Sequence, residues 1–468
     1  MKIRFALAAC LFVATPALAQ RRPNAVPAPA TPEDMAAFEK DLDALFARGG
    51  LTADQAATRA GKVSPTVIRR AAEVEAALAQ VESAQLAMVP QVSGKASFTY
   101  LSPLDPIVFG TPPAAITLEI PNKATVLQGT LAVPLSEYLL RFPKIINAAK
   151  LGADAARTSM RSGVINAGQE ARLAYYEWLR ARLQVLVAER QLTQVKTVLK
   201  QVQALADAQR LSKADLMRVE SNEAQAEQAV NQLRNLATLR EEQLRLLIGA
   251  RTDEQLALGE DVRGSVNAPA AADLESLVQR AAKQRLEFRA LDLGIEAREK
   301  QRDAETANKL PHLSAFAQAD YDNPNQRVFP QEQKFTFTWL VGAQLTWTIN
   351  DALLAGASQR RIAAETNELR ADRENLMRGT RIEVLAAEQA VQLAQLALTT
   401  SQKGLAAAEE GYRVRRELLN ADRATAVELV DAETDLTRAR IAALNARVDL
   451  RVALAQLAHA LGDDTAAR

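Results

Sequence analysis

Proline constrains this chain more sharply than any other residue. All 18 prolines lie outside residues 144–268 and 331–468, and proline is expelled from helix interiors because it lacks an N–H and its ring clashes with the preceding turn. Both proline-free blocks are therefore expected to be long helices. In the first, Tyr176, Leu179, Leu183 and Leu186, then Val195, Val198, Val202 and Leu205, recur at steps of three and four, the spacing of a coiled-coil seam. A helix from Lys144 to Arg210 would be ~100 Å long at a rise of ~1.5 Å per residue.

The two halves of the chain repeat one another. Met88-Val89-Pro90-Gln91-Val92-Ser93 aligns with Lys309-Leu310-Pro311-His312-Leu313-Ser314, and Asp215-Leu216 to Glu220 aligns with Glu428-Leu429 to Glu433. Each half closes on a glycine after an apolar run, at Gly249 and Gly462. The period is far longer than a solenoid repeat, so the chain reads as a duplicated half-protein. Each half runs helix, strand, loop, strand, very long helix, tight turn, shorter helix. Lys213 to Ile248 (~54 Å) and Pro65 to Val89 (~38 Å) stacked end to end give ~92 Å, nearly the length of one long helix. Segments 20–50 and 250–272 are expected to pack where the shorter helices meet. The boundaries expected are 1–19 for a leader, 51–249 for the first repeat with its tip near 207–215, 273–462 for the second with its tip near 412–428, and 463–468 for a tail.

Four segments read as strands, at about 92–101, 124–135, 313–321 and 335–349. In the last, Phe335, Phe337, Trp339, Val341, Ala343, Leu345, Trp347 and Ile349 alternate with Thr336, Thr338, Leu340, Gly342, Gln344, Thr346 and Thr348, a period of two. Aromatics at the ends of an apolar face suit the two girdles of an outer-membrane barrel. Phe335, Phe337, Trp339 and Trp347, with Phe98 and Tyr100 on the first strand, are the candidate lipid face. Two soluble hairpins remain the other reading of alternation alone. Four strands cannot close a barrel, so a membrane reading requires several copies.

Lys2 and Arg4, the apolar run Phe5 to Ala14 and the small residues Ala17-Leu18-Ala19 form an export signal with cleavage expected before Gln20. Cys10, the one cysteine, sits too early in that run for lipidation to be the favoured reading. After cleavage no apolar run reaches the ~20 residues of a membrane-spanning helix. Lys+Arg (57) nearly cancels Asp+Glu (56), which argues against a nucleic-acid partner. Two histidines and one cysteine leave little for a metal cage or for nucleophilic catalysis, so neither metal, cofactor nor enzyme activity is expected. His312 and His459 have no second ligand nearby in sequence, and Tyr175, Tyr176 and Trp178 read as packing residues. Aromatics make up only 4% of the chain while alanine supplies about a fifth, the composition of closely packed helices.

The segment Leu51-Thr52 to Pro65, the stretch Glu73-Val74-Glu75-Ala76 to Pro90, its copy Leu274-Glu275 to Pro311, and Glu428-Leu429-Val430-Asp431-Ala432 resemble TolC-like outer-membrane efflux proteins. The resemblance runs from about residue 51 to Gly462. It implies a mainly α fold with a small transmembrane β part: a homotrimer whose twelve-stranded barrel in the outer membrane continues into a periplasmic coiled-coil tunnel. It also implies docking to an inner-membrane transporter through a periplasmic adaptor, with the tip closed until engaged. The function implied is the exit duct of a tripartite efflux pump or type I secretion system. The alternatives are a periplasmic adaptor, which carries one hairpin rather than two, and a structural coiled-coil protein of the envelope.

In the family the second tip carries two lumen-facing acids, and Glu428 and Asp431 occupy those positions. Three residues apart, they share a helix face. By the same resemblance Asp215 corresponds to an acid of the first tip, and Tyr412 to a tyrosine of the closing network. Ala424 stands where the family has an arginine, so Arg423 is expected to take that part and pair with Asp215. The cluster Arg413, Arg415, Arg416 and Arg423 has a plain alternative, a solvated charged tip.

Overall fold

A computed structural model describes residues 33–464, apart from 112, 119, 210–211, 265, 267–272 and 422. The leader at 1–19, Cys10 and the tail beyond Asp464 lie outside the described residues. The chain begins with α1 (Glu33–Leu45), β1 (Phe46–Leu51), α2 (Ala53–Val63) and α3 (Pro65–Leu86). There follow β2 (Gln91–Tyr100), a small hairpin of β3 (Ile107–Phe109) and β4 (Ile116–Leu118), then β5 (Lys123–Val133) and the short helix α4 (Leu135–Leu140). The first long helix is α5 (Phe142–Asp207), which turns into α6 (Lys213–Ile248). The second half contains α7 (Leu274–Gln284), α8 (Leu286–Glu305), β6 (His312–Asn323), β7 (Thr336–Thr346), α9 (Ile349–Asn420) and α10 (Ala426–Leu461).

The long helices have 66 and 72 residues, so α5 is ~99 Å long and α9 ~108 Å. Each packs along its length against shorter helices, α5 against α3, α6 and α8, and α9 against α8 and α10. On α5 the coiled-coil seam is buried at Tyr176, Leu179, Leu183, Val195 and Val202. Alanines, among them Ala153, Ala167, Ala171, Ala387 and Ala394, fill much of the remaining contact surface and let backbones approach closely. The shorter helices end where the sequence places glycine. Gly249 closes α6 at φ 63° and Gly462 closes α10 at φ 75°, a left-handed backbone that L side chains resist.

The strands form one antiparallel sheet in the order β2-β5-β6-β7. The fourth strand is shorter than its alternation suggests, because pairing stops at Thr346 and Ile349 already opens α9. Trp347 therefore lies in the joint between strand and helix, where its indole N–H donates to the Lys309 carbonyl at 3.4 Å. The loop between β2 and β5 carries the β3–β4 hairpin, in which Gly110 takes a φ of 94°.

Segments before α2 and after α6 meet in a belt around mid-height of the helices. β1 bridges Leu258 in parallel from Phe46 and Leu51, while Leu51 N–H donates to Ala257 and its carbonyl accepts from Gly259, both at 2.8 Å. The core here holds Tyr175, Trp178, Leu179, Leu244, Ile248 and Leu258. Burial, helped by the nearby Glu260 charge, pushes the phenols of Tyr175 and Tyr176 up from their usual range. Both rings still find partners: Tyr176 donates to Glu260 at 3.2 Å, and Tyr175 accepts the Glu260 N–H at 3.3 Å.

The belt depends on backbone contact between two glycines. A Cβ on Gly259 would sit 2.2 Å from the Gly50 carbonyl oxygen, whereas one on Gly152 in α5 would meet nothing within 4 Å. Gly259→Ala is expected to lower the thermal midpoint of the purified protein. Gly152→Ala should raise it, by the roughly 0.4–1 kcal/mol that restricting a helical glycine supplies; thermal melts in detergent measure both signs.

Candidate functional site at the helical tip and the strand sheet

Both helical hairpins end at the same pole. At the first turn, α5 stops at Asp207, Gln209 takes a left-handed φ of 57°, and Ser212 caps α6 by accepting the Asp215 N–H at 3.1 Å. At the second, α9 continues to Asn420, the Arg423 N–H returns to the Leu418 carbonyl at 2.8 Å, and Thr425 opens α10 with a capping box to Glu428. The second turn is thus confined to about 421–425, tighter than the 412–428 expected. Two further turns of α9 follow Tyr412, which accounts for the long spacing between Tyr412 and Glu428. Val202, Val219 and Val430 form a small buried cluster that ties α5, α6 and α10 together just inside the tip.

The expected tip residues fall into separate contacts rather than one network. Glu428 accepts from Arg415 at 3.1 Å and completes the cap of its own helix. Asp431, one turn on, lies 3.8 Å from Arg218 of α6. Both acids are about half exposed or more, so these pairs are worth little individually, but they draw one cation from each neighbouring helix. Asp215 accepts the Ser212 hydroxyl at 2.6 Å, and within one chain no ion pair joins it to Arg423 among the described residues. Arg413 is held along its own helix by Glu410 and Glu417, and the Arg416 guanidinium lies 5.8 Å from the centre of the Tyr412 ring.

Above the tip a groove of about 880 Å³ opens between α1, α5, α9 and α10, lined by Asp41, Arg190, Gln194, Tyr412, Arg416 and Glu433 among others. It leads to a buried charged layer that sequence reasoning missed. Glu433 and Arg440 are each only 4% exposed, and burial holds Arg440 below the usual arginine range. The signal was present in α10: Leu429, Glu433, Leu436 and Arg440 recur at steps of four and three, so two charges stand on the apolar seam.

The sheet separates its side chains by face. Register places Phe98, Leu127, Leu131, Tyr321, Phe337, Trp339, Val341 and Leu345 on one side. Phe98 is 68% exposed, Trp339 65% and Val341 71%. Tyr100 lies on that face too, and Phe335, just before β7, stacks on Tyr321 with ring centres 5.0 Å apart. The opposite side carries Lys95, Gln128, Gln318, Asp320 and Thr338 in cross-strand rows. There Asp320 accepts amide donors from Gln128 at 3.1 Å and Gln318 at 2.8 Å. Gly342 leaves room for the Phe316 ring, which a Cβ would meet at 2.8 Å. An apolar face of this kind opposite a hydrogen-bonded polar one is the pattern of a barrel wall between lipid and water. The strands β2 and β7 are its unpaired edges. No helix among the described residues is long and apolar enough to cross a membrane.

Residues 277–463 match the sequence model of the outer membrane efflux protein family. The second half of the chain thus carries the sequence pattern of that family. The fold agrees across both halves. The outer membrane efflux protein fold is shared with CusC at 17% identity and a TM-score of 0.73, covering 89% of this chain and 93% of that one. The CmeC outer membrane channel of Campylobacter jejuni aligns at 12% identity and 0.71, covering 91% and 87%. VceC of Vibrio cholerae aligns at 15% and 0.69, covering 92% and 98%. No curated protein sequence matches the chain. The family consists of channel proteins rather than enzymes.

The two faces of the sheet give opposite mutational sensitivities. Val341→Arg, on the apolar face at mid-strand, is expected to cost about 2–4 kcal/mol and to deplete the protein from the outer membrane. Leu340→Arg, on the polar face beside Gln318, should leave its amount there close to wild type; quantitative blots of membrane fractions compare the two.

Proposed function

We propose that three copies of this chain close their sheets into one twelve-stranded barrel in the outer membrane, forming the exit duct of an efflux pump or type I secretion system. One observation carries this reading: a sheet with an apolar face, a polar face and two long unpaired edges. In lipid an open edge leaves backbone N–H and C=O groups unsatisfied, so only a closed barrel is viable. Bacterial barrels begin at about eight strands, so a four-stranded sheet must be completed by other copies. Channels of this family are trimeric and work with an adaptor and an inner-membrane transporter. Here the adaptor would engage the two turns at the tip, near 207–215 and 421–425. The α-helical part would extend into the periplasm as the tunnel.

The duct would perform no chemistry and would open by a change of packing between the two hairpins. Glu428 and Asp431 are the proposed selectivity acids, with Asp215, Arg423 and Tyr412 as candidates for the closing contacts around them. In a trimer six carboxylates would surround a narrow aqueous throat and concentrate cations. Their partial pairing with Arg415 and Arg218 moderates that field, and adaptor binding at the tip is placed to alter it.

The purified protein should run as a trimer, require detergent, and form cation-preferring channels in planar bilayers. A mature protein that is soluble without detergent would end this reading. Replacing Glu428 and Asp431 together by Ala should lower the cation-to-anion permeability ratio, and an unchanged ratio would remove these two residues from the gate.

A further inference from the structure

The N-terminal helix α1 lies across the seam between the two hairpins. That seam is formed by α5 and α10, which run antiparallel: Arg180 pairs with Asp449 at 2.5 Å and Gln184 with Asn445 at 3.2 Å, and further toward the tip Val202 meets Val430. Between these contacts stand two arginines, Arg190 from α5 and Arg440 from α10. Phe38 of α1 lies under both. The Arg440 guanidinium carbon is 4.9 Å from the ring centre and that of Arg190 is 5.7 Å away.

The carboxylates of Glu433 and Glu409 favour the charged form of Arg440, and the nearby Arg190 charge disfavours it to a smaller extent. Arg440 is also nearly dehydrated, with no acceptor for its Nε among the described residues. A guanidinium in this position gains most from an aromatic face, because the competing water is gone. The Phe38 ring thus gives the two cations a common face across the seam. Asp41, one turn further along α1, adds an ion pair to Arg190. The same helix is fastened to the belt by Leu42, 2% exposed, and by Arg263, which holds Glu39 at 2.7 Å and Asp43 at 2.5 Å.

We infer that α1 is a strap and that Phe38 is a positioning residue for gating: by holding Arg190 and Arg440 together it joins the hairpin of α5 and α6 to that of α9 and α10 and sets how readily the tip parts. This rests on the exit-duct reading, in which those hairpins shift against each other. Loss of the ring removes a contact that both arginines share and so favours separation of the hairpins.

The test uses the full-length trimer in planar bilayers. Phe38→Leu keeps an apolar side chain in the site and removes the aromatic face; Phe38→Trp keeps the face. The leucine variant is expected to raise open probability roughly tenfold, the scale of one desolvated cation–π contact, while the tryptophan variant behaves as wild type. In an Arg440→Gln background, Phe38→Leu should add little further. Wild-type conductance in the leucine variant overturns the strap, as does a lower thermal midpoint of the trimer with unchanged gating, since that marks a packing role alone. If the wild-type protein itself forms no channel, it is the exit-duct reading that fails.

Discussion

Everything in this molecule depends on two helices of roughly 100 Å, and a helix in a protein owes most of its stability to the packing of its apolar face. The solution is lateral. Each long helix is flanked over most of its length by shorter ones placed end to end, so most of its apolar stripe finds a partner within the chain, while Ile382, Leu393 and Leu396 of α9 stay exposed. The shorter helices cannot be continuous, because the chain must enter and leave somewhere. The break is sealed by the belt of α1, α2, β1 and the segment around Leu258. The belt is therefore where the largest side chains collect: Trp178, Tyr175 and Leu244 fill a junction that alanine contacts could not close.

The sheet has the opposite problem. Its pairing is regular and its core is thin, because its apolar side is turned outward. What stabilises it within one chain is backbone pairing and the polar rows around Asp320, and its outer surface is left to the surrounding lipid. One chain thus contains two materials with opposite polarity rules, joined within three residues between Thr346 and Ile349. Trp347, anchored to the Lys309 carbonyl, occupies that transition.

Much of the fold was legible in the sequence because its determinants are local. Proline exclusion, the three- and four-residue spacing of α5, and the glycines at 249 and 462 each report a backbone preference of the residue itself. Alternation disclosed β7 but overran it, since Trp347 and Ile349 keep the period of two after the ladder has ended. The tip was read less well. The extent of its turn is hard to read because helical periodicity in the Arg-rich stretch after Tyr412 is weak, and the cap that Ser212 makes with Asp215 depends on where α6 begins. The Phe38, Arg190 and Arg440 assembly was hidden for another reason: it joins residues some 150 and 250 positions apart along the chain, and nothing local to any of the three announces the others.

The edge strands have a geometric relation to the helices that constrains assembly. β2 follows α3 after four residues, and β7 precedes α9 after two. Each edge is thus the rigid continuation of a helix. In the proposed trimer, β7 of one copy would pair with β2 of the next, and the helices that adjoin them, α9 and α3, would be delivered to each other at the same time. A slip of one residue in that pairing would turn the lipid face inward and would also displace the helices axially by about 3.3 Å, roughly 0.6 of a helical turn, which puts facing side chains out of register. Copies can therefore proofread their sheet against their tunnel. The short joints between strand and helix, too brief to absorb an error, act as the vernier of the assembly.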